Sequence, residues 1–173
     1  MLGIKLVRLI ERHSDSLVQG LVEQLRTSER TSDFRRVDPD ELCRGAGELY
    51  HHLGEWLLQR TETDIAQRFR AIAIRRAQEG IQSHQLVWAL MLTRDHIWHF
   101  LRREAFADNI VQLYGEMELQ ELLNQFFDRA IYHAIRAYEQ AGELRPPKAD
   151  WEKARDLAIA VGLMREPKAR SLS

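Results

Sequence analysis

Proline constrains this chain most, through where it is missing. The four prolines are Pro39, Pro146, Pro147 and Pro167, and none falls between Asp40 and Arg145. Proline removes a helical N–H and clashes with the preceding turn, so that whole interval is free to run as helix. It is rich in Leu, Ala, Glu, Gln and Arg, all good helix formers. No stretch alternates Val, Ile, Thr and aromatic residues with period two, so no strand is expected. The fold class this implies is all-α.

The spacing of apolar residues predicts about six helices. The first runs from about Gly3 to Arg30, with Ile4, Val7, Ile10, Leu17, Leu21 and Leu25 on one face and a break near Ser14-Asp15-Ser16. Thr27 to Pro39 is polar and reads as a loop. Asp38 and Pro39 form an N-cap and N1 pair that opens a second helix to about Leu58. Thr61 begins a third, with Ile65, Phe69, Ile72 and Ile74 inward, ending at Gly80. Ser83 is expected to cap a fourth, from His84 to about Arg103, whose apolar residues surround most of its circumference. The fifth, from about Asp108 to Ala141, carries two stripes. One is Tyr114, Met117, Leu122, Phe126, Ala130, Ala134 and Tyr138; the other is Leu119, Leu123, Phe127, Ile131 and Ile135. Two stripes need two partners, and the second is expected to be another copy of the chain. Pro146-Pro147 breaks the chain before a weaker sixth helix, Asp150 to Leu163, and a disordered end from Arg165. Residues 1–143 are therefore expected to form one domain, and 144–173 a linker, a short helix and a tail.

Charge narrows the function classes. Lys+Arg 25 against Asp+Glu 26 leaves a net −1, which argues against nucleic acid held on a basic face. The single cysteine, Cys43, permits neither an internal disulfide nor a cysteine-based zinc site, and reads as packing. No apolar run reaches the ~20 residues of a membrane helix. The charges from Lys5 to Arg12 leave no signal-peptide core, so a cytoplasmic protein with no membrane contact is expected.

The seven histidines raise metal first. His96 and His99, three apart, are spaced to share a helix face and would chelate a metal or offer a haem iron its axial ligand. Glu48-Leu49-Tyr50-His51 matches the Glu-x-x-His element of di-iron bundles, but no second such element exists. No Gly-x-Ser-x-Gly turn or Gly-rich phosphate loop is present, so no enzymatic chemistry is expected. Arg75-Arg76 and Arg102-Arg103 sit near helix C-termini, where cations are favoured without a ligand. Trp88 and Trp98 read as core, with a ligand-pocket wall as the alternative.

Two segments carry a resemblance. Gly80-Ile81-Gln82-Ser83-His84-Gln85-Leu86, with the aromatic helix after it, and Phe126-Phe127-Asp128-Arg129-Ala130-Ile131 through Tyr138-Glu139 resemble the N-terminal sensor domain of RsbR-type stressosome co-antagonists. The resemblance covers roughly Leu6 to Ala141 and implies a globin-like, haem-free helical fold that dimerises and relays a signal to an effector. The family's usual phosphorylatable α/β effector domain does not fit after Ala141, so either a solitary sensor-like protein or an effector on a separate chain is expected.

The expectation is thus a non-enzymatic, homodimeric, cytoplasmic sensor domain without a cofactor. Its ligand pocket is expected at Trp88, Leu92, His96 and Phe126, and its dimer contact at Leu119, Leu123, Phe127, Ile131 and Ile135. The alternative is a haem- or metal-binding globin-type sensor ligated through His96 or His99. The protein should purify colourless; a Soret band that survives haem reconstitution and vanishes in His96→Ala or His99→Ala would select the alternative.

Overall fold

The computed structural model describes residues 3–104 and 110–143. Among them lie seven α-helices, one 3-10 helix and no strand. The helices are α1 (Gly3–Arg12), α2 (Ser14–Thr27), α3 (Pro39–His51), α4 (Leu53–Leu58), α5 (Glu62–Gln78), α6 (Ser83–Glu104) and α7 (Ile110–Glu143), with the 3-10 helix Glu29–Arg36 after α2. The fold is an all-α bundle, consistent with a globin-like arrangement. The chain divides into two compact units, Met1–Glu139 and Gln140–Ser173, and the buried core from Val7 to Ala137 belongs to the first. The expected sixth helix and the tail from Arg165 lie outside the described residues.

Two expected helices are each broken in two. The first breaks at His13, whose side chain does not cap α2; its Nδ1 instead donates to the Leu9 carbonyl at 2.9 Å. The second breaks at His52. There the Gly54 N–H donates to Glu11 Oε1 of α1 at 3.0 Å, so one helix supplies the cap of another. A Cβ on Gly54 would lie 3.1 Å from Val7 Cγ1, and glycine is what permits this approach.

The polar segment after α2 is the 3-10 helix rather than a loop. Phe34 and Val37 enter the core, and buried Thr31 donates from Oγ1 to the Leu25 carbonyl at 2.7 Å. In α3 the Asp38 side chain accepts from the Asp40 N–H at 2.9 Å with Pro39 in the first turn. Thr61 and Asp64 form a reciprocal capping box on α5. That helix turns Ile65, Phe69 and Ala73 inward, whereas Ile74 is exposed and Ile72 half-buried. Ser83 lies inside the first turn of α6 rather than capping it.

The turn between α5 and α6 fastens several elements at once. Gly80 has φ 78°, and the Ile81 and Gly80 N–H groups donate to the carbonyls of Arg76 (2.9 Å) and Ala77 (3.1 Å). This is the paired ending that a left-handed glycine makes. Tyr138 of α7 donates from Oη to the Ile81 carbonyl at 3.0 Å. Burial pushes the Tyr138 hydroxyl up to about 12, so it stays a donor throughout the physiological range. The Gln82 N–H donates to Asp33 Oδ2 (3.3 Å), and the Asp33 N–H to buried Gln85 Oε1 (2.8 Å). The first segment of the family resemblance is therefore a structural joint.

Gly80→Ala places a Cβ in the left-handed region and should cost about 1–2 kcal/mol, a few degrees of melting temperature. Gly45→Ala, in α3 where an added Cβ meets nothing within 4 Å, should be neutral or slightly stabilising. Thermal melts of the two variants check this; equal shifts would remove the special role of Gly80.

Candidate functional site

Helices α2 and α6 enclose a cavity of about 440 Å³. From α2 it receives Ser16, Leu17, Gly20 and Gln24, spaced to share one helix face. From α6 it receives Leu92, Asp95, His96, His99, Phe100 and Arg103, which repeat every three or four residues. Leu17 and Phe100 are buried and supply apolar surface, whereas His96 is half-buried and His99 and Arg103 are exposed.

The His96 ring depends on Gly20. A Cβ at that position would stand 3.0 Å from His96 Cε1 and 3.1 Å from Nε2, closer than packed atoms tolerate. Burial lowers the His96 pKa from its ordinary value, a hydrogen bond to the Leu17 backbone opposes this, and His99 and Arg103 lower it further. His96 is therefore neutral at pH 7 in the folded chain. His99 Nδ1 lies 2.8 Å from the Asp95 carbonyl, which can only accept, so Nδ1 carries the hydrogen and Nε2 is left for another partner. Arg103 is largely exposed, with Nε 3.0 Å from Glu104 Oε1.

Of the four residues expected to line a pocket, Leu92 and His96 do share this cavity, joined by His99. Trp88 is not among its lining: its ring lies under the Arg30 guanidinium at 4.3 Å. Phe126 belongs to the core, its ring 6.2 Å from Trp56 and 5.7 Å from Phe69. Gly20, Gln24 and Arg103 complete the lining, and apolar spacing alone does not point to them. A glycine inside an apolar helical pattern is the one signal that marked such a close approach.

The expected dimer contact needs correcting at its centre. Leu119, Leu123 and Phe127 are enclosed within the single chain, while Ile131 and Ile135 are half-buried. From Leu119 onward the two stripes merge into one broad inward face, Phe126, Ala130 and Ala134 of the first lying with Leu119, Leu123 and Phe127 of the second and with Ala137, whereas Tyr114 and Met117 of the first stripe stay outside. What α7 leaves outside is Leu113, Tyr114, Met117 and Tyr132, each about half or more exposed. A groove of about 360 Å³ runs between α7 and α6, lined by Arg94, Asp95 and Trp98 on one side and Gln120, Leu123, Asn124 and Asp128 on the other. Among the described residues no three His, Cys, Asp or Glu side chains converge as a metal-binding group.

The second segment of the resemblance is also structural. Phe126, Phe127 and Ala130 are buried, and Arg129 and His133 meet Glu62 of α5 at 3.4 and 2.6 Å. The family model described as the RsbT co-antagonist protein rsbRD N-terminal domain matches residues 15–162. No curated protein and no solved structure matches the chain.

A histidine held neutral by the fold penalises the folded state once the unfolded chain begins to protonate, below the ordinary value of about 6.5. Stability should be full above that value and fall as pH drops through it. His96→Gln should lose less melting temperature between about pH 7.5 and 5.5 than the wild type; equal losses would show that His96 carries no such penalty.

Proposed function

The chain belongs to the family of RsbT co-antagonist rsbRD N-terminal domains, and from that membership we propose a non-enzymatic signal-sensing domain that works as a homodimer and passes its signal to an effector. The family match over residues 15–162 carries this reading. No helix among the described residues is long and apolar enough to cross a membrane, which is compatible with a cytoplasmic stressosome-type regulator. The proposal includes no cofactor, nucleic acid or membrane.

The outer face of α7 supports the dimer. Leu113, Met117, Gln120, Asn124 and Asp128 follow one another at intervals of three or four, so one stripe joins the exposed apolar residues to the α6–α7 groove. Tyr132 continues it one turn further, and half-buried Trp98 stands beside it on α6. A stripe with apolar ends and a polar centre suits a two-fold contact, in which the same patch serves both copies. Exposed apolar patches of this kind mark interaction surfaces more often than idle ones. The signal would then be a change in the packing of α6 and α7, favouring one of two arrangements of the pair.

Two variants separate surface from core. Met117→Glu should give a folded monomer, with wild-type helical content by circular dichroism. Phe127→Glu should instead lose the fold, because an unpaired buried charge costs several kcal/mol, roughly 3–5. Light scattering at tens of micromolar checks the first: a monomeric wild type, or a Met117→Glu protein that stays dimeric, removes this surface from the proposal.

A further inference from the structure

We propose that the cavity between α2 and α6 is a binding site for a small monocarboxylate carried on a short apolar or aromatic body. Its volume of about 440 Å³ lies in the range of small-molecule sites, and its lining is part apolar and part polar. Leu17, Leu92 and Phe100 offer an apolar bed, and Gly20 gives the His96 ring room to lie against α2. Arg103 supplies a permanent cation, and His99 Nε2, an acceptor while Nδ1 carries the only ring hydrogen, becomes a donor to a carboxylate once the ring takes up a proton. A carboxylate with an apolar body satisfies both parts together.

Charge limits the ligand to one negative group. The α2 lining contains no ionisable side chain, and α6 contributes Asp95, His96, His99 and Arg103. The Asp95 carboxylate has Arg94 Nε 3.5 Å away, which offsets it in part, but it still opposes a dianion such as a phosphate ester. Burial keeps His96 neutral in the empty cavity. An anion placed beside it would favour the protonated ring, so binding and proton uptake reinforce each other, and by reciprocity acid strengthens binding. The proposal names the ligand class of the sensor reading and rests on it for biological consequence, though not for the binding itself.

Benzoate is a suitable probe and benzyl alcohol its uncharged control, with the histidine C2–H signals followed by NMR on the full chain. Benzoate should move the His96 and His99 signals and raise the pH at which His96 titrates. It should bind more tightly at about pH 5.5 than at about pH 8, and at least about tenfold more tightly than the alcohol. Arg103→Gln removes an exposed charge without touching the core, and should weaken benzoate about two- to fivefold. Gly20→Ala should weaken both probes by pushing the ring into the cavity. Unmoved histidine signals at about 10 mM benzoate, far above a 1 mM dissociation constant, would overturn the proposal. So would alcohol binding as tight as benzoate, or affinity indifferent to both pH and Arg103→Gln. Light scattering on the same samples separates the two readings. Binding in a chain that is monomeric throughout leaves the site standing and removes the dimeric sensor, whereas a dimer that ignores benzoate does the reverse.

Discussion

Phe126 and Phe127 of α7 are the pair on which the bundle closes. Phe126 stands between Trp56 of α4 and Phe69 of α5, and Phe127 meets it edge-on at a centroid distance of 5.2 Å. Tilted and edge-to-face contacts match the positive ring edge to the negative ring face, beyond the large apolar area each ring buries. The remaining inward residues of α7 taper. Leu119 and Leu123 precede the pair, and Ala130, Ala134 and Ala137 come after it. The inward side chains thus narrow from the middle of the helix toward its C-terminal end.

The ends of α7 are secured differently. Toward the C-terminus, Tyr138 is hydrogen-bonded to the α5–α6 turn, whose Gly80 geometry also brings in Asp33 and Gln85. His133 and Arg129 add contacts to Glu62. In the N-terminal half the helix shows Leu113, Tyr114 and Met117 to solvent. That half is also packed from within: Gly115 and Leu119 are buried, and a Cβ on Gly3 of α1 would lie 3.3 Å from Glu118 Oε2.

The fold class was legible because it rests on local signals that tertiary packing only refined. Missing prolines, the Asp38-Pro39 cap, the Thr61 start and the Gly80 stop each act within one turn of helix. The break at His13 falls beside the one expected at Ser14-Asp15-Ser16, whereas the break at His52 was harder. His52 is followed by Gly54, whose N–H is capped by Glu11, a residue forty-three positions away that no window on the chain can see. The polar stretch from Thr27 to Pro39 hid a 3-10 helix because its two inward residues, Thr31 and Phe34, are spaced for three residues per turn. At the candidate site, the spacing of His96 and His99 placed them on one face of α6, and Leu92 was expected beside His96 in a pocket with Trp88 and Phe126. Gly20 was not legible, since its role lies in what it leaves empty. The stripes of α7 failed as a dimer guide because an inward face broad enough to meet several helices looks, in one dimension, like two.

Position 95 links the two concave features of the unit. Asp95 lines both the α2–α6 cavity and the α6–α7 groove, with Leu92, His96 and His99 on the first side and Arg94 and Trp98 on the second. A helix is a stiff rod on the scale of one turn, and protein interiors are too closely packed to absorb a displacement on one face without showing it on the other. The His96 ring already fills the space that Gly20 leaves, so a charge gained there has little room to be accommodated by the ring alone. On the groove side, Arg94 of α6 stands 3.8 Å from Asp128 of α7, a separation at which small shifts decide whether the pair interacts. A ligand acts on such a pair only through its different affinity for the two arrangements, and a shift of about 1.4 kcal/mol would already change their ratio tenfold. Under the proposed sensor reading, α6, which lines both features, is the element through which such a difference in affinity would pass.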